Sequence, residues 1–158
     1  MKRTKSIYLA LVAVLLSPMV ATADLIASFG TGSSGSEVGG TLTSSEIVFD
    51  VNHPAYFQGA TTPASNWVWT DDPEGYADVT FTFDFDLTGF DLDTVVLMGM
   101  WGVDNIGSVF LNGNLLSSLP SVIKGNFNVL TAFSANQASL FNQGANSLVF
   151  SVGNRQTA

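Results

Sequence analysis

The sequence predicts an all-β protein, an antiparallel β-sandwich or jelly roll, and three observations in the middle of the chain carry this prediction. Between residues 78 and 87 polar and apolar side chains alternate strictly, which is the period of a half-buried strand. Residues 94–103 are apolar on both faces, which predicts a non-edge strand covered above and below. The pair Asn112-Gly113 separates two short apolar segments and is typical of a type I′ hairpin turn, which requires two positive φ angles.

Shorter segments on both sides of this region predict the remaining strands. They are residues 25–29, 41–51, 66–70, 127–133 and 148–152. Turn residues separate them, including an acidic turn at 71–75 and a loop at 117–125 that Pro120 interrupts. Residues 136–141 predict one helical turn with Asn136 as its cap. About nine short strands with little helix are typical of a sandwich or jelly roll.

The first 23 residues predict a secretory signal peptide. Three basic residues precede an apolar run from Ile7 to Leu16, which is too short to be a stable membrane anchor. Ser17-Pro18 interrupts the run, and Ala21-Thr22-Ala23 has the small residues that a signal peptidase requires. We therefore expect export with Asp24 as the first mature residue; the alternative is an uncleaved N-terminal anchor.

Residues 24–158 predict a single domain. Removing 23 of the 158 residues leaves 135, a size at which one core buries roughly two thirds of the unfolded chain's surface. Residues 30–40 (GTGSSGSEVGG) predict a flexible Gly/Ser loop or arm, since they offer few side chains for packing.

The charge of the mature chain restricts its partners. Three of the five basic residues precede Asp24, which leaves two against 13 acidic residues and a net charge of −11. Nucleic acids and anionic membranes need Lys and Arg to replace their counterions, so both are excluded as expected partners. Divalent cations and neutral or cationic polymers remain compatible. The chain has no cysteine, which excludes disulfides, thiolate metal sites and cysteine nucleophiles.

Three aromatic residues form the first candidate binding site. Trp67 and Trp69 share one face of a predicted strand, and Tyr76 follows nearby. Aromatic faces of this kind suit the apolar faces of pyranose rings, with Asp71 and Asp72 beside them as hydrogen-bond acceptors. The alternative is that both indoles pack in the core, as tryptophans commonly do.

Acidic residues form a candidate calcium site. Asp71, Asp72, Glu74 and Asp78 lie in and after one turn, and Asp84 and Asp86 project from one face of a strand. Closely spaced carboxylates supply the oxygen ligands that Ca²⁺ requires. The alternative is a solvated acidic face, because the spacing fits no EF-hand or other ordered ligand string.

The sequence offers little support for catalysis. His53 is the only histidine, and no Ser or Asp partner follows from its spacing. The spacing of the 13 acidic residues does not single out two carboxyl groups as the catalytic pair of a glycosidase, so we expect no enzymatic activity. Asp104-Asn105 is interpreted as a turn stabilised by its own side chains, with sugar contact as the alternative.

Several segments resemble one group of exported proteins. In chain order they are 85–90 (FDLTGF), 101–105 (WGVDN), 111–113 (LNG), 127–133 (FNVLTAF) and 144–150 (GANSLVF). They resemble the PEP-CTERM-type β-sandwich domains of Gram-negative exopolysaccharide producers, which are similar to galactose-binding-like jelly rolls. The resemblance covers residues 66–154. Members usually end in a Val-Pro-Glu-Pro-like motif, a transmembrane segment and a basic tail, whereas this chain stops at Ala158.

This resemblance implies a function and a location. It implies a noncatalytic module that binds extracellular or cell-surface polysaccharide, in the periplasm, on the cell surface or outside a Gram-negative bacterium. The candidate residues for sugar are Trp67, Trp69, Asp71, Asp72 and Tyr76, with calcium as the only candidate cofactor. The alternative function is a structural protein of the exopolysaccharide layer without a glycan pocket. The sequence departs from the group at its end, so we expect a truncated member that lacks the sorting anchor and a final strand.

Overall fold

The structure is a computed structural model that describes residues 13–16, 24–32, 39–42, 47–49, 56, 57, 59, 61, 63–69, 78–120 and 126–153. The described residues form eleven strands: β1 (Ala13–Leu16), β2 (Asp24–Ala27), β3 (Gly40–Leu42), β4 (Ile47–Phe49), β5 (Trp67–Trp69), β6 (Asp78–Asp86), β7 (Val96–Trp101), β8 (Ile106–Leu111), β9 (Asn114–Leu119), β10 (Thr131–Ala135) and β11 (Ala145–Gly153). Two single 3₁₀ turns, Leu92–Thr94 and Ala138–Leu140, complete the secondary structure.

The strands assemble into two main sheets and a small ribbon. One sheet has the strand order β10-β7-β1-β2, the other has the order β3-β6-β11-β8-β9, and β4 pairs with β5. Every strand pair is antiparallel. The prediction of an all-β antiparallel sandwich is therefore confirmed, while its jelly-roll form stays a prediction.

The core lies between the two main sheets. Phe133 of the first sheet meets Phe150 of the second with ring centroids 5.9 Å apart, and Trp101 lies 6.2 Å from the same ring. Phe29, which follows β2, stacks on Phe83 of β6 at 4.4 Å. Aromatic side chains bury large apolar areas, so these contacts hold the sheets face to face.

The long strands follow their sequence pattern. In β6, Phe81, Phe83 and Phe85 are buried while the polar residues between them face outward. The neighbouring strand β11 alternates in the same way from Ala145 to Val152, with Leu148, Phe150 and Val152 buried. The hairpin between β8 and β9 has φ of 49° at Asn112 and 82° at Gly113, as a type I′ turn requires. The predicted strand at 78–87 and the predicted hairpin are confirmed.

The strand predicted at 94–103 is confirmed as a non-edge strand but not as one covered on both faces. In the full chain β7 lies between β10 and β1, so its non-edge position depends on β1, which lies within the predicted signal peptide. Leu97 and Trp101 face the core, whereas Met98 is 41% exposed. The apolar outward residues misled the prediction, because apolar side chains also contribute much of a normal protein surface.

Three boundaries predicted near the C-terminal half were wrong. The strand predicted at 127–133 begins only at Thr131, and the preceding Val129 is 61% exposed in a turn. The loop predicted from residue 117 begins later, because β9 continues to Leu119 and ends before Pro120. The turn predicted at 136–141 is capped by Gln137 without a side-chain hydrogen bond, so Asn136 is not its cap.

Strand β1 comes from the apolar run of the predicted signal peptide. Its residues pair with β2 on one side and with β7 on the other. Cleavage after Ala23 would remove this strand and leave the facing edges of β2 and β7 unpaired. The signal peptide itself stays a prediction.

The described ends of the Gly/Ser stretch contact other parts of the fold. The backbone N–H of Asn66 donates to the carbonyl oxygen of Thr31 at 2.8 Å, and a side chain at Gly30 would collide with the carbonyl oxygen of Ala64. Gly39 has a φ of 67° and lies directly against the backbone of Ile26. These glycines allow close backbone approach.

Within the described part of the chain, no helix has the length and apolar character needed to cross a membrane.

Candidate functional site

Six residues form a cluster at the end of the sandwich where the β7–β8 connection lies. We call the six the end cluster: Tyr56, Trp67, Asp104, Asn105, Asn126 and Phe127. They come from the segment before β5, from the start of β5, from the β7–β8 connection and from the turn before β10. All six are half-buried, so each retains some surface that solvent can reach.

The aromatic rings of the end cluster contact one another around Tyr56. Its ring meets Trp67 edge to face, with centroids 5.1 Å apart and an interplanar angle of 82°. On another side it meets Phe127 at 5.0 Å and 35°. Gly102 lies next to the Trp67 ring, and an added Cβ there would be 3.3 Å from that ring. The absence of a side chain at Gly102 therefore leaves room for the indole.

Backbone hydrogen bonds hold the segments that carry these rings. The N–H of Phe57 donates to the carbonyl oxygen of Phe127 at 2.8 Å, which ties the segment before β5 to the turn before β10. The carbonyl oxygen of Phe57 in turn accepts the indole N–H of Trp67 at 3.2 Å. The only polar atom of the Trp67 side chain is thus used within the protein, and its ring offers the apolar faces alone.

The polar members of the end cluster are connected by hydrogen bonds. One carboxylate oxygen of Asp104 accepts a hydrogen bond from the hydroxyl of Tyr56, and the other accepts one from the side-chain N–H of Asn105. The side chain of Asn126 donates to the carbonyl oxygen of Asn105 at 2.7 Å. The peptide bond between Asp104 and Asn105 is cis. A carboxylate accepts roughly four hydrogen bonds, so Asp104 has capacity for further donors.

Burial and the neighbouring carboxylate keep Tyr56 protonated. Loss of solvent contact, the hydrogen bond to Asp104 and the negative charge of Asp104 all raise the pKa of Tyr56 above its ordinary value. The phenol therefore remains a donor to Asp104 throughout the neutral pH range. This fixes the orientation of the ring that both Trp67 and Phe127 contact.

The structure places the sequence-predicted sugar residues in different surroundings. Trp67 belongs to the end cluster, and Trp69 lies two residues further along β5, half-buried and packed against the hydrophobic core. Neither indole is fully buried. Asp71, Asp72 and Tyr76 lie outside the described residues.

The predicted calcium ligands are only partly described. Asp78, Asp84 and Asp86 lie on β6, while Asp71, Asp72 and Glu74 are outside the described residues. Among the residues that the structure describes, no three His, Asp or Glu side chains come close enough together to hold a metal ion. His53 also lies outside them.

Three members of the end cluster, Tyr56, Asn126 and Phe127, were not singled out as candidate site residues by the sequence. Asp104 and Asn105 were interpreted as a turn stabilised by its own side chains, with sugar contact only as the alternative. Tyr56 and Asp104 are 48 residues apart, so no local spacing connects them. One sequence feature could have indicated these residues, because Tyr56 and Phe127 are aromatic residues surrounded by polar and small residues.

Comparison with known protein families, curated proteins and solved structures found no match to this chain.

Proposed function

We propose that this chain is a noncatalytic domain that binds extracellular or cell-surface polysaccharide, and that the end cluster is where sugar binds. The observation that carries the proposal is the grouping of three half-exposed aromatic rings with one carboxylate and two amides at a loop end of the sandwich. Loops on a rigid β scaffold are common locations of binding residues.

The chemistry of the end cluster suits a pyranose ring. Sugars have apolar faces that stack on aromatic rings, and their hydroxyls need both donors and acceptors nearby. The indole of Trp67 contributes an apolar face, since its N–H is already bonded to Phe57. Asp104 contributes the charged acceptor, and hydrogen bonds to ionised groups are stronger than neutral ones.

The charge of the protein favours a neutral glycan. The full chain carries a formal charge of −8, and Asp104 adds a negative charge at the cluster itself. An anionic polysaccharide would be repelled, because like charges in a half-buried site interact strongly.

Export belongs to the same proposal. The charged N-terminus, the short apolar run and the Ala21-Thr22-Ala23 sequence support secretion across the inner membrane. The resemblance to PEP-CTERM-type domains supports a location at or outside the cell surface. Calcium is the one cofactor we include for testing, through the acidic residues at 71–78.

Affinity electrophoresis of the purified chain tests the proposal. The gels contain one neutral or charged polysaccharide each, with Ca²⁺ or with a chelator. We expect retardation by at least one neutral glycan and loss of that retardation in Trp67→Ala and in Asp104→Asn. Circular dichroism of each variant confirms that it has folded, and the effect of the chelator shows whether a metal takes part.

Two control variants exclude nonspecific adhesion. Leu115 and Val129 are 58% and 61% exposed, which makes them the most exposed large apolar side chains among the residues that the structure describes. Leu115→Ser and Val129→Ser should migrate as the parent protein does. A folded parent protein that no glycan retards would refute carbohydrate binding.

A structural surface or matrix protein is the second candidate, and the edge strand β9 favours it. β9 ends the five-stranded sheet and has the uncharged sequence NLLSSL, with Leu115 exposed. Uncharged edge strands pair readily with other chains. Self-association that Leu115→Lys abolishes, measured by sedimentation, together with no glycan binding, would favour this function.

A further inference from the structure

A depression of about 190 Å³ lies on the outer face of the five-stranded sheet, beside the end cluster. Its position follows from strand register: Asp78, Gly153 and Ile106 are opposite one another on β6, β11 and β8. Gly153 has no side chain, so a hollow remains between its two neighbours. The Pro120 that follows β9 contributes a further wall.

The next row of residues supplies hydroxyl groups. Ser151 of β11, Ser108 of β8 and Ser118 of β9 are opposite one another and all line the depression. The hydroxyls of Ser108 and Ser118 are 3.1 Å apart and hydrogen-bonded. Hydroxyls both donate and accept, so this row can match either kind of group on a ligand.

The lining excludes several classes of ligand. Asp78 is its only ionisable residue, and no basic residue lines it, so an anion is not expected to bind. Ile106 and Pro120 add apolar surface beside the hydroxyls and the carboxylate. The volume lies below the roughly 300 Å³ at which pockets for drug-sized ligands begin, which restricts the occupant to about one ring.

The depression and the end cluster share one short segment. Asn105 belongs to the end cluster, and the next residue, Ile106, lines the depression. The backbone N–H of Asn105 donates a hydrogen bond of 3.1 Å to the carbonyl oxygen of Gly153, which is a residue that lines the depression. The Cα atoms of Asp104 and Ile106 can be at most about 7 Å apart. The two sites are therefore neighbours on one end of the molecule.

We infer that this depression is a second sugar subsite, which takes a neutral pyranose unit next to the unit held by the end cluster. The inference rests on the proposed function. It adds that the protein recognises a chain of at least two linked units rather than a single terminal sugar. The unit in the depression stacks on the apolar surface and bonds to Asp78, Ser151 and Ser108.

The test compares single sugars with short oligomers. The probes are glucose, galactose and the β-linked oligomers of each with two to four units, titrated into the full chain by calorimetry. In Ser151→Val the depression loses a hydroxyl and gains two methyl groups, while Val is well tolerated in a strand. We expect this variant to bind oligomers about five- to tenfold more weakly and to bind the single sugar as the parent does.

Ser147→Val is the matched control. Ser147 lies on the same strand and the same outward face, opposite Asp84 and outside the depression. It should bind all probes as the parent does. Gly107→Ala is unsuitable as a blocking variant, because an added Cβ there would collide with Trp101 in the core.

The outcomes separate the two proposals. A parent protein that binds no saccharide at all would refute the proposed function, and the subsite with it. The subsite alone would be refuted if the parent binds oligomers, Trp67→Ala does not bind them, and Ser151→Val binds them as tightly as the parent does. An equal loss of oligomer affinity in Ser147→Val and in Ser151→Val would also refute the subsite. Amide chemical-shift changes at Ile106, Gly107 and Ser151 on addition of a four-unit oligomer would support it independently.

Discussion

The phenol of Tyr56 donates a hydrogen bond to the carboxylate of Asp104, which lies 48 residues further along the chain. This bond connects the segment before β5 to the connection between β7 and β8. It also fixes the ring around which Trp67 and Phe127 are arranged. The end cluster thus depends on a long-range polar contact as well as on aromatic packing, and each contribution can be tested separately.

Tyr56→Phe should change the response of the protein to alkaline pH. The raised pKa of Tyr56 means that its contribution to stability is complete below the pKa of an unfolded tyrosine, about 10, and is lost as pH rises above it. The free energy of unfolding of the parent protein should therefore fall more steeply above this pH than that of Tyr56→Phe. At neutral pH the variant should be less stable by about 1 kcal/mol, since the hydroxyl is half-exposed. Urea unfolding at a series of pH values measures both effects, and identical pH profiles would contradict the assignment.

Gly107→Ala should destabilise the fold although it adds one methyl group. The new Cβ would lie 2.9 Å from the carbonyl oxygen of Ser151 and 3.0 Å from the indole ring of Trp101. Both neighbours are held in place, since Trp101 is 1% exposed and its N–H donates to Ser117 at 3.0 Å. Overpacking of this kind costs about 1–3 kcal/mol.

Chemical denaturation measures this cost. Ser108→Ala, one residue further along β8, should change the stability by less than about 0.5 kcal/mol, because it removes only a surface hydroxyl. Equal stability of Gly107→Ala and the parent would show that Trp101 can move away.

Asn146→Ala should be the most damaging polar substitution in the described structure. The side chain is 3% exposed and makes four hydrogen bonds. Its oxygen accepts from the side chain of Asn112 and the backbone of Asn142, and its N–H groups donate to the carbonyl oxygens of Asn142 and Gly144. Removing this buried amide takes the acceptor from the backbone N–H of Asn142 and one hydrogen bond from each of the other partners, which costs about 2–3 kcal/mol in all.

Thermal unfolding compares this variant with Asn114→Ala. Asn114 is exposed and donates only long bonds of 3.2 and 3.4 Å to backbone carbonyls, so its loss should be nearly neutral. Similar melting temperatures for the two variants would show that water replaces the bonds of Asn146.

Export should remove β1 from the sheet. We expect the secreted protein to begin at Asp24, which intact mass measurement shows directly. The edges of β2 and β7 that β1 covers should then exchange their amide hydrogens faster than in the full chain, because their ladder bonds are lost. Hydrogen exchange of the two forms measures this at those amides between Val96 and Met98 that point towards β1, while the alternate amides, which point towards β10, serve as the internal control. A secreted protein that retains residues 13–16 would contradict the predicted cleavage.

The sequence by itself determined the class of the fold and the elements whose pattern is local. The strict alternation at 78–87 and the φ requirement of Asn112-Gly113 were sufficient to place β6 and the β8–β9 hairpin, because both depend on the period of a strand and on turn geometry. The N-terminal boundary of β10 could not be placed in the same way. Apolar alternation continues through Phe127 and Val129, and only packing against the opposite sheet decides which apolar residues are buried.

Only the tertiary structure decided the composition of the candidate site. Trp67 stood out in the sequence, but its ring contacts Tyr56, and Tyr56 in turn contacts Asp104 and Phe127, so the cluster is assembled from separate segments of the chain. The depression likewise arises from register, which sets Gly153 between Asp78 and Ile106 on neighbouring strands. Strand periodicity is a property of neighbouring residues and is written in the sequence, whereas pairing partners are fixed by the packing of the whole chain.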